Sequence, residues 1–382
     1  MKIKTITCHN VYNFGASLQA YALLTYLKNL GHDVEIIDYM PKYLSYNLWH
    51  ISPKWNKNIL LRLAFFAYVI PKRISQKKER EKFDKFTDEF LYLSKNRYSS
   101  IEELKEKVPL ADIYFAGSDQ IWNTYSQNGK DPSFYLDFAP SHSIKASYAA
   151  SLSTSVINPD YEEQVKTWLS KLDYITVREK TGVKILNELG FNDVKVVLDP
   201  VFLLGKDKWS KIAEPTLFKE KYLLVYDQEN NRNIKKNAIR LAKKYNLKIV
   251  AIESLYPMLY AHKRIRNTGP RDFLSLILNC DLCLTNSFHC IAFSIIFNKE
   301  FLLFPRTHQK VNSRMFDLLS SINLQNRIVE TNFMYDSSEE INYSEVNEII
   351  NSNIIFSKNI INEIILIKND KIQNYSSNKL SS

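Results

Sequence analysis

Cysteine is scarce, with four in 382 residues. That is too few for a disulfide framework and points to a reducing compartment, the cytoplasm. Glycine (8) and proline (12) are also scarce, which excludes a collagen-like or low-complexity chain. At 45% hydrophobic and 24% charged residues, the chain can build large cores and is not mainly disordered. No apolar run reaches the roughly 20 residues that a membrane-spanning helix needs. The longest, 59–70 (ILLRLAFFAYVI), is broken by Arg62. The opening MKIKTITC alternates apolar and polar residues without a long apolar region, so it reads as a first strand and not as an export signal. Acid is in deficit: 51 Lys and Arg against 41 Asp and Glu leave a net charge of +10. Such a charge attracts anions without choosing among phosphosugars, lipid headgroups and carboxylates. Nucleic acid is set aside, because there is no RNP, KH or zinc-finger pattern and the basic residues look dispersed.

What is present is a long alternation of strand and helix patterns, in a chain of the length of about two domains. Strand 3–7 leads through a loop containing Gly15 into helical spacing over 18–30, stopped by Gly31, and then into strand 34–38. This βαβ opening implies a parallel sheet with right-handed crossovers. Residues 47–100 break the rhythm and read as a helical insertion. Strands follow at 113–116, 146–150, 174–177 and 194–198, the last ended by Asp199-Pro200. A second series of strands at 222–226, 249–252, 281–285 and 300–304 alternates with helices. The expectation is an α/β protein of two Rossmann-like domains facing a cleft, 1–205 and 206–330, with ligands outside the carboxyl ends of the strands. A helical segment, 331–370, and a disordered tail, 371–382, complete the reading.

Several residues fall at those strand ends. Ser287 is placed to cap a helix, which puts His289 in its first turn, where backbone N–H groups and the helix dipole favour an anion. Arg306, His308, Lys310 and Arg314 lie just downstream. A histidine acid beside cations suits protonation chemistry on a phosphorylated or carboxylated substrate. The alternative is a hydrogen-bonded structural histidine beside a solvated basic loop. Arg178 ends a strand and is either a grip for carboxylate or phosphate, or a surface partner of Glu179. Loop 10–17 lacks a dinucleotide fingerprint or a P-loop lysine and is either a polar cleft lining or an ordinary turn. Asp119, Gln120 and Trp122 make a carboxylate–indole combination that suits a sugar, or else they cap a helix. Cys280-x-x-Cys283 near His289 and Cys290 has no second pair with zinc spacing, so the cysteines read as buried apolar residues and no metal is expected. The segment 59–70, with Trp55, Arg62, Lys72 and Arg73, is either an interfacial helix, apolar on one side, or a helix packed on its own domain.

Six motifs occur in order. They are Asn13-Phe14-Gly15-Ala16-Ser17-Leu18-Gln19-Ala20-Tyr21-Ala22-Leu23, Gly117-Ser118-Asp119-Gln120-Ile121-Trp122-Asn123, Val177-Arg178-Glu179-Lys180, Leu198-Asp199-Pro200-Val201-Phe202, Gly269-Pro270, and Thr285-Asn286-Ser287-Phe288-His289 with 293–299. Over residues 3–328 the series resembles the polysaccharide pyruvyl transferase family. The resemblance implies a GT-B-like pair of domains and no cofactor. It also implies phosphoenolpyruvate as donor and a hexose of a cell-envelope or capsular saccharide as acceptor, often lipid-linked, joined as a cyclic pyruvate ketal. Carried over residue by residue, it implies His289 as catalytic acid, Arg178 as a donor ligand and Lys310 or Arg314 as a further cation. Asp119 is then read as orienting the acceptor. Asn13, Gly15, Gln120, Trp122, Asn286 and Ser287 are read as lining the substrates. Many relatives carry Arg at the position of Ser287, and glycine is frequent at that of Cys290. The competing readings are a GT-B glycosyltransferase using a nucleotide sugar and a non-catalytic envelope-assembly protein. A cytoplasmic place at the inner face of the membrane, touched through 59–70, fits the resemblance.

Overall fold

The computed structural model describes residues 1–45, 57–216, 218–253, 257–307, 312–330 and 340–380. Short apolar runs become parallel strands because helices cover both faces of the sheet they form. The first sheet contains β1 (Lys2–Ile6), β2 (Asp33–Tyr39), β3 (Leu93–Tyr98), β4 (Ile113–Ala116) and β5 (Ile144–Ser147), in the order β3-β2-β1-β4-β5. A parallel pair, β6 (Ile175–Val177) and β7 (Val194–Val196), continues it through bridges from Ala146 to Tyr174 and from Ala150 to Val177. The second sheet contains β8 (Tyr222–Tyr226), β9 (Lys248–Ile252), β10 (Lys263–Ile265), β11 (Leu282–Thr285) and β12 (Glu300–Leu303), in the order β10-β9-β8-β11-β12. The two sheets have the same strand sequence. In each, the order reverses beside the first strand, between β1 and β4 and between β8 and β11, and such switch points are where open α/β sheets place ligands.

Helix Phe14–Asn29 starts where the Asn13 side chain accepts from the Ala16 amide at 3.2 Å, and it closes at Gly31, whose φ of +85° needs glycine. The insertion differs from its expected extent. A helical arm runs from Ile59 to Phe90 with a π-turn at Phe65–Val69, and the last part of 47–100 is not helical but the edge strand β3. That strand (LSKNRY) and β10 (KRI) are polar edge strands, so neither has the apolar run that marks their neighbours.

The lobes share one apolar core. Phe14 stacks on Phe273 with centroids 4.5 Å apart, and Trp209 meets Tyr21 and Phe293 edge-on. The chain passes between lobes twice: once after Leu203, and again in helix Tyr343–Leu380, which includes residues 371–380 of the tail expected to be disordered. This helix returns to the first lobe, where Ser357 accepts from the Leu198 amide at 3.0 Å and Tyr174 donates to Glu363 at 3.0 Å. Among the described residues no helix is long and apolar enough to cross a membrane.

Candidate active site

The carboxyl ends of strands from both sheets and from the β6–β7 pair deliver their groups to the same place. The loop after β1 brings Gly15, the loop after β4 brings Asp119 and Gln120, and β6 ends in Arg178-Glu179. The strand end after β7 brings Asp199, and the helix after β11, Phe288–Ile296, carries His289. His289 is buried (7% exposed). Its Nε2 lies 3.4 Å from Asp199 Oδ2, and its Nδ1 faces the Cα of Gly15. A Cβ on residue 15 would sit 1.9 Å from Nδ1, so the ring occupies space that only glycine leaves. Asp199 Oδ2 also accepts from Arg178 Nη1 at 2.5 Å.

Two buried guanidinium groups flank the Phe288 ring, Arg178 at 4.6 Å and Arg314 at 5.5 Å from its centroid. Asp119 Oδ1 bridges them, 3.6 Å from Arg178 Nη2 and 3.7 Å from Arg314 Nη1. Gln120, with its amide oxygen turned to Arg314, accepts from Nη1 and Nη2 at 3.0 Å each. Even so, Arg178 Nε and Nη2, Arg314 Nε and His289 Nε2 are buried without a hydrogen-bond partner. Buried polar atoms in that state call for a water or an ion, and the cationic ones among them suit an anion.

The charges set one another. Burial alone would push the Asp199 carboxyl up, but His289 and Arg178 hold it well below the usual carboxylate range, so it is the fixed negative charge of the cluster. Burial, with Arg178 close by, brings Arg314 down to about 10, which leaves it cationic at neutral pH. Burial alone would lower Arg178, and Asp199, Asp119 and Glu179 outweigh it and raise the group. Glu179 is a positioning residue. Its Oε1 accepts from Ser151 Oγ and from the Leu152 and Ser153 amides, all at 2.9 Å, which fixes the loop that brings Ser153 to Arg314.

Of the residues singled out in the sequence, the structure gathers His289, Arg178, Arg314, Asp119, Gln120 and Gly15. Lys310 lies outside the described residues. Asn13 caps its helix, and Ser287 occupies the N-cap position of the His289 helix but makes no capping bond with its side chain. Asn286 is buried, accepting from the Gln228 amide at 3.0 Å and donating to Asp227 at 2.8 Å, so it ties the loops after β8 and β11 together. Trp122 is corrected: its indole is buried, donates to Phe134 O at 3.0 Å and stacks on Tyr135, which makes it part of the core and not a sugar platform. Asp199 was missed. Its signal was the acid held at a strand end by the proline after it, which read as a strand stop. Cys280, Cys283 and Cys290 are buried and free, as their apolar reading expected; Cys8 is buried and free too, and the described residues hold no metal-ligand cluster.

Two parallel α/β lobes meet at this cluster of buried cations and a histidine. The solved structure of UDP-GlcNAc 2-epimerase from Neisseria meningitidis, bound to UDP-GlcNAc, shares the fold at 14% identity and a TM-score of 0.51, over 96% of this chain and all of that one. The epimerase from Methanocaldococcus jannaschii matches at 12% identity and a TM-score of 0.46, over 92% of each chain. The fold is thus GT-B-like, as the resemblance implied. No curated protein matches the sequence. The polysaccharide pyruvyl transferase family model matches residues 13–308, and the chain belongs to that family, a family of transferases.

Proposed function

We propose that the protein moves the pyruvyl group of phosphoenolpyruvate onto two hydroxyls of a hexose in a cell-envelope or capsular saccharide, forming a cyclic ketal and releasing phosphate. The observation that carries this reading is the pair of buried arginines with unpartnered N–H groups beside a histidine whose counter-ion is a buried carboxylate. Arg178 and Arg314 take the donor's phosphate and carboxylate. His289, as imidazolium paired with Asp199, gives its proton to the methylene carbon, which becomes a methyl group, and the adjacent carbon becomes oxocarbenium-like. One sugar hydroxyl adds to that carbon and returns its proton to His289. The C–O bond to phosphate then breaks, and the second hydroxyl closes the ring, its proton leaving with the phosphate or to water. The guanidinium groups face the oxygens on which negative charge grows as phosphate departs. Asp119, the most exposed carboxylate of the cluster at 17%, orients the acceptor. The scheme uses no cofactor, and a lipid-linked acceptor at the inner face of the membrane is compatible with it.

Phosphate release from phosphoenolpyruvate in the presence of candidate hexosides tests the proposal. His289→Ala abolishes turnover while phosphoenolpyruvate still raises the melting temperature. Undiminished turnover in that variant removes the acid. Stabilisation by UDP or GDP, with none by phosphoenolpyruvate, favours nucleotide-sugar chemistry instead.

A further inference from the structure

The cations that look dispersed along the whole chain are concentrated in one segment. The forty residues between Asp38 and Glu79 contain eight Lys and Arg and neither Asp nor Glu, most of the chain's net charge of +10. Within this segment the helix Ile59–Ala64 has no buried residue. Ile59, Leu60 and Leu63 are 65%, 72% and 59% exposed, and Phe66 and Ile74 continue the exposed apolar surface along the next turns. Lys57 and Arg62 are exposed beside them. The opposite side faces the protein through Phe65 and Ile70, both buried. The helical arm then runs into Lys77–Phe90, which is fixed by buried Phe83 and Phe86 and by Lys82 on Asp272 at 2.7 Å. So the apolar face points outward from an arm anchored at its far end.

Single exposed apolar side chains are ordinary, but a contiguous group on one helix marks a contact surface. The segment is too short to span a bilayer and carries Arg62 in its middle, which leaves the geometry of a helix lying in the interface plane. The surrounding charge chooses the occupant. An acid-free run of sequence whose Lys57 and Arg62 stand exposed beside the apolar strip complements an anionic lipid surface. We propose that residues 57–78 dock the protein on a bilayer carrying anionic headgroups, with Ile59, Leu60 and Leu63 inserted at the acyl boundary. This rests on exposure and charge and stands independently of the pyruvyl-transfer reading. Arg73, on the same arm, lines a groove of about 1350 Å³ together with Tyr12, Tyr43, Asp84 and Asp88, and the groove begins on the loop that continues into Gly15.

The test is flotation of the full chain with vesicles of phosphatidylcholine plus phosphatidylglycerol, against phosphatidylcholine alone, at low and high salt. The expected result is binding to the anionic vesicles only, weakened by salt. Replacing Ile59, Leu60 and Leu63 together by Ser lowers the partition coefficient by at least about tenfold, with an unchanged melting temperature because the side chains are exposed. The charge variant Lys57→Glu with Arg62→Glu keeps the apolar strip and loses the preference for anionic lipid. Three results overturn the proposal: a wild-type chain that stays with neither vesicle, a triple Ser variant that floats as well as wild type, or a wild-type dimer that fails to float and becomes monomeric in the triple variant, which assigns the face to a second copy. Turnover on a water-soluble hexoside is expected to be the same in the triple variant. Failure of docking and failure of pyruvyl transfer are therefore read separately.

Discussion

The Cα of Gly15 is the floor on which the His289 ring lies, and a methyl group there would meet Nδ1 at 1.9 Å. Gly15→Ala is therefore expected to push the imidazole away from Asp199. A displacement of about 1 Å at a reacting group costs on the order of a hundredfold in turnover, and overpacking costs about 1–3 kcal/mol in stability. Phosphate release and urea denaturation of the same preparation measure the two effects. Wild-type turnover in this variant would mean the ring is not held by that contact.

Asp199→Asn removes the buried negative charge shared by His289 and Arg178 and leaves Arg178 only its longer contacts to Asp119 and Glu179, a loss of about 3 kcal/mol. The pH dependence has a defined sign. The folded carboxyl is held below its usual value, so its stabilisation is complete above the unfolded carboxylate value and is lost as pH falls through the folded one. The gap in melting temperature between wild type and Asp199→Asn is expected to be constant above about pH 5 and to shrink below it. A gap that widens toward acid would contradict the assignment of Asp199 as the anionic partner.

Arg314 titrates at about 10 because it is buried and next to Arg178. Donor affinity in the free protein is expected to be flat through neutral pH and to fall as pH passes that value. Arg314→Lys replaces a planar fork by a point charge that loses its proton more easily when buried, so affinity drops by about 10- to 100-fold. The alkaline fall also moves to lower pH. Calorimetric titration with phosphoenolpyruvate across the alkaline range reads both changes.

Trp122→Phe gives up one indole hydrogen bond in a packed site. It is expected to cost about 1 kcal/mol in stability and to leave the KM for the acceptor unchanged. A large rise in KM would return Trp122 to the sugar side of the cleft.

The fold was legible where apolar periodicity carried it. The βαβ opening showed as alternation in β1 followed by helical spacing, whereas the strands at 222–226 and 282–285 are buried on both faces and read as continuous apolar runs. β3 and β10 lie at sheet edges, and without a buried face to encode they left no such trace. The site was legible as strand ends: His289, Arg178, Asp119 and Gly15 all follow from their places after β11, β6, β4 and β1. The partnership between them was not. Arg178 and Asp199 are 21 residues apart and His289 is 90 beyond Asp199, distances over which local patterns say nothing. Trp122 misled because the residues around it fit a sugar site as well as a core, and its burial, the Tyr135 stack and the bond to the Phe134 carbonyl distinguish them.

Leu198 and Ser357, hydrogen-bonded at 3.0 Å, place the returning C-terminal helix directly beside Asp199. Asp199, Arg178, Asp119 and Gly15 all belong to the first lobe, whereas His289 and Arg314 ride on the second. The cluster is therefore shared: neither lobe alone holds both arginines, or the histidine together with its carboxylate partner.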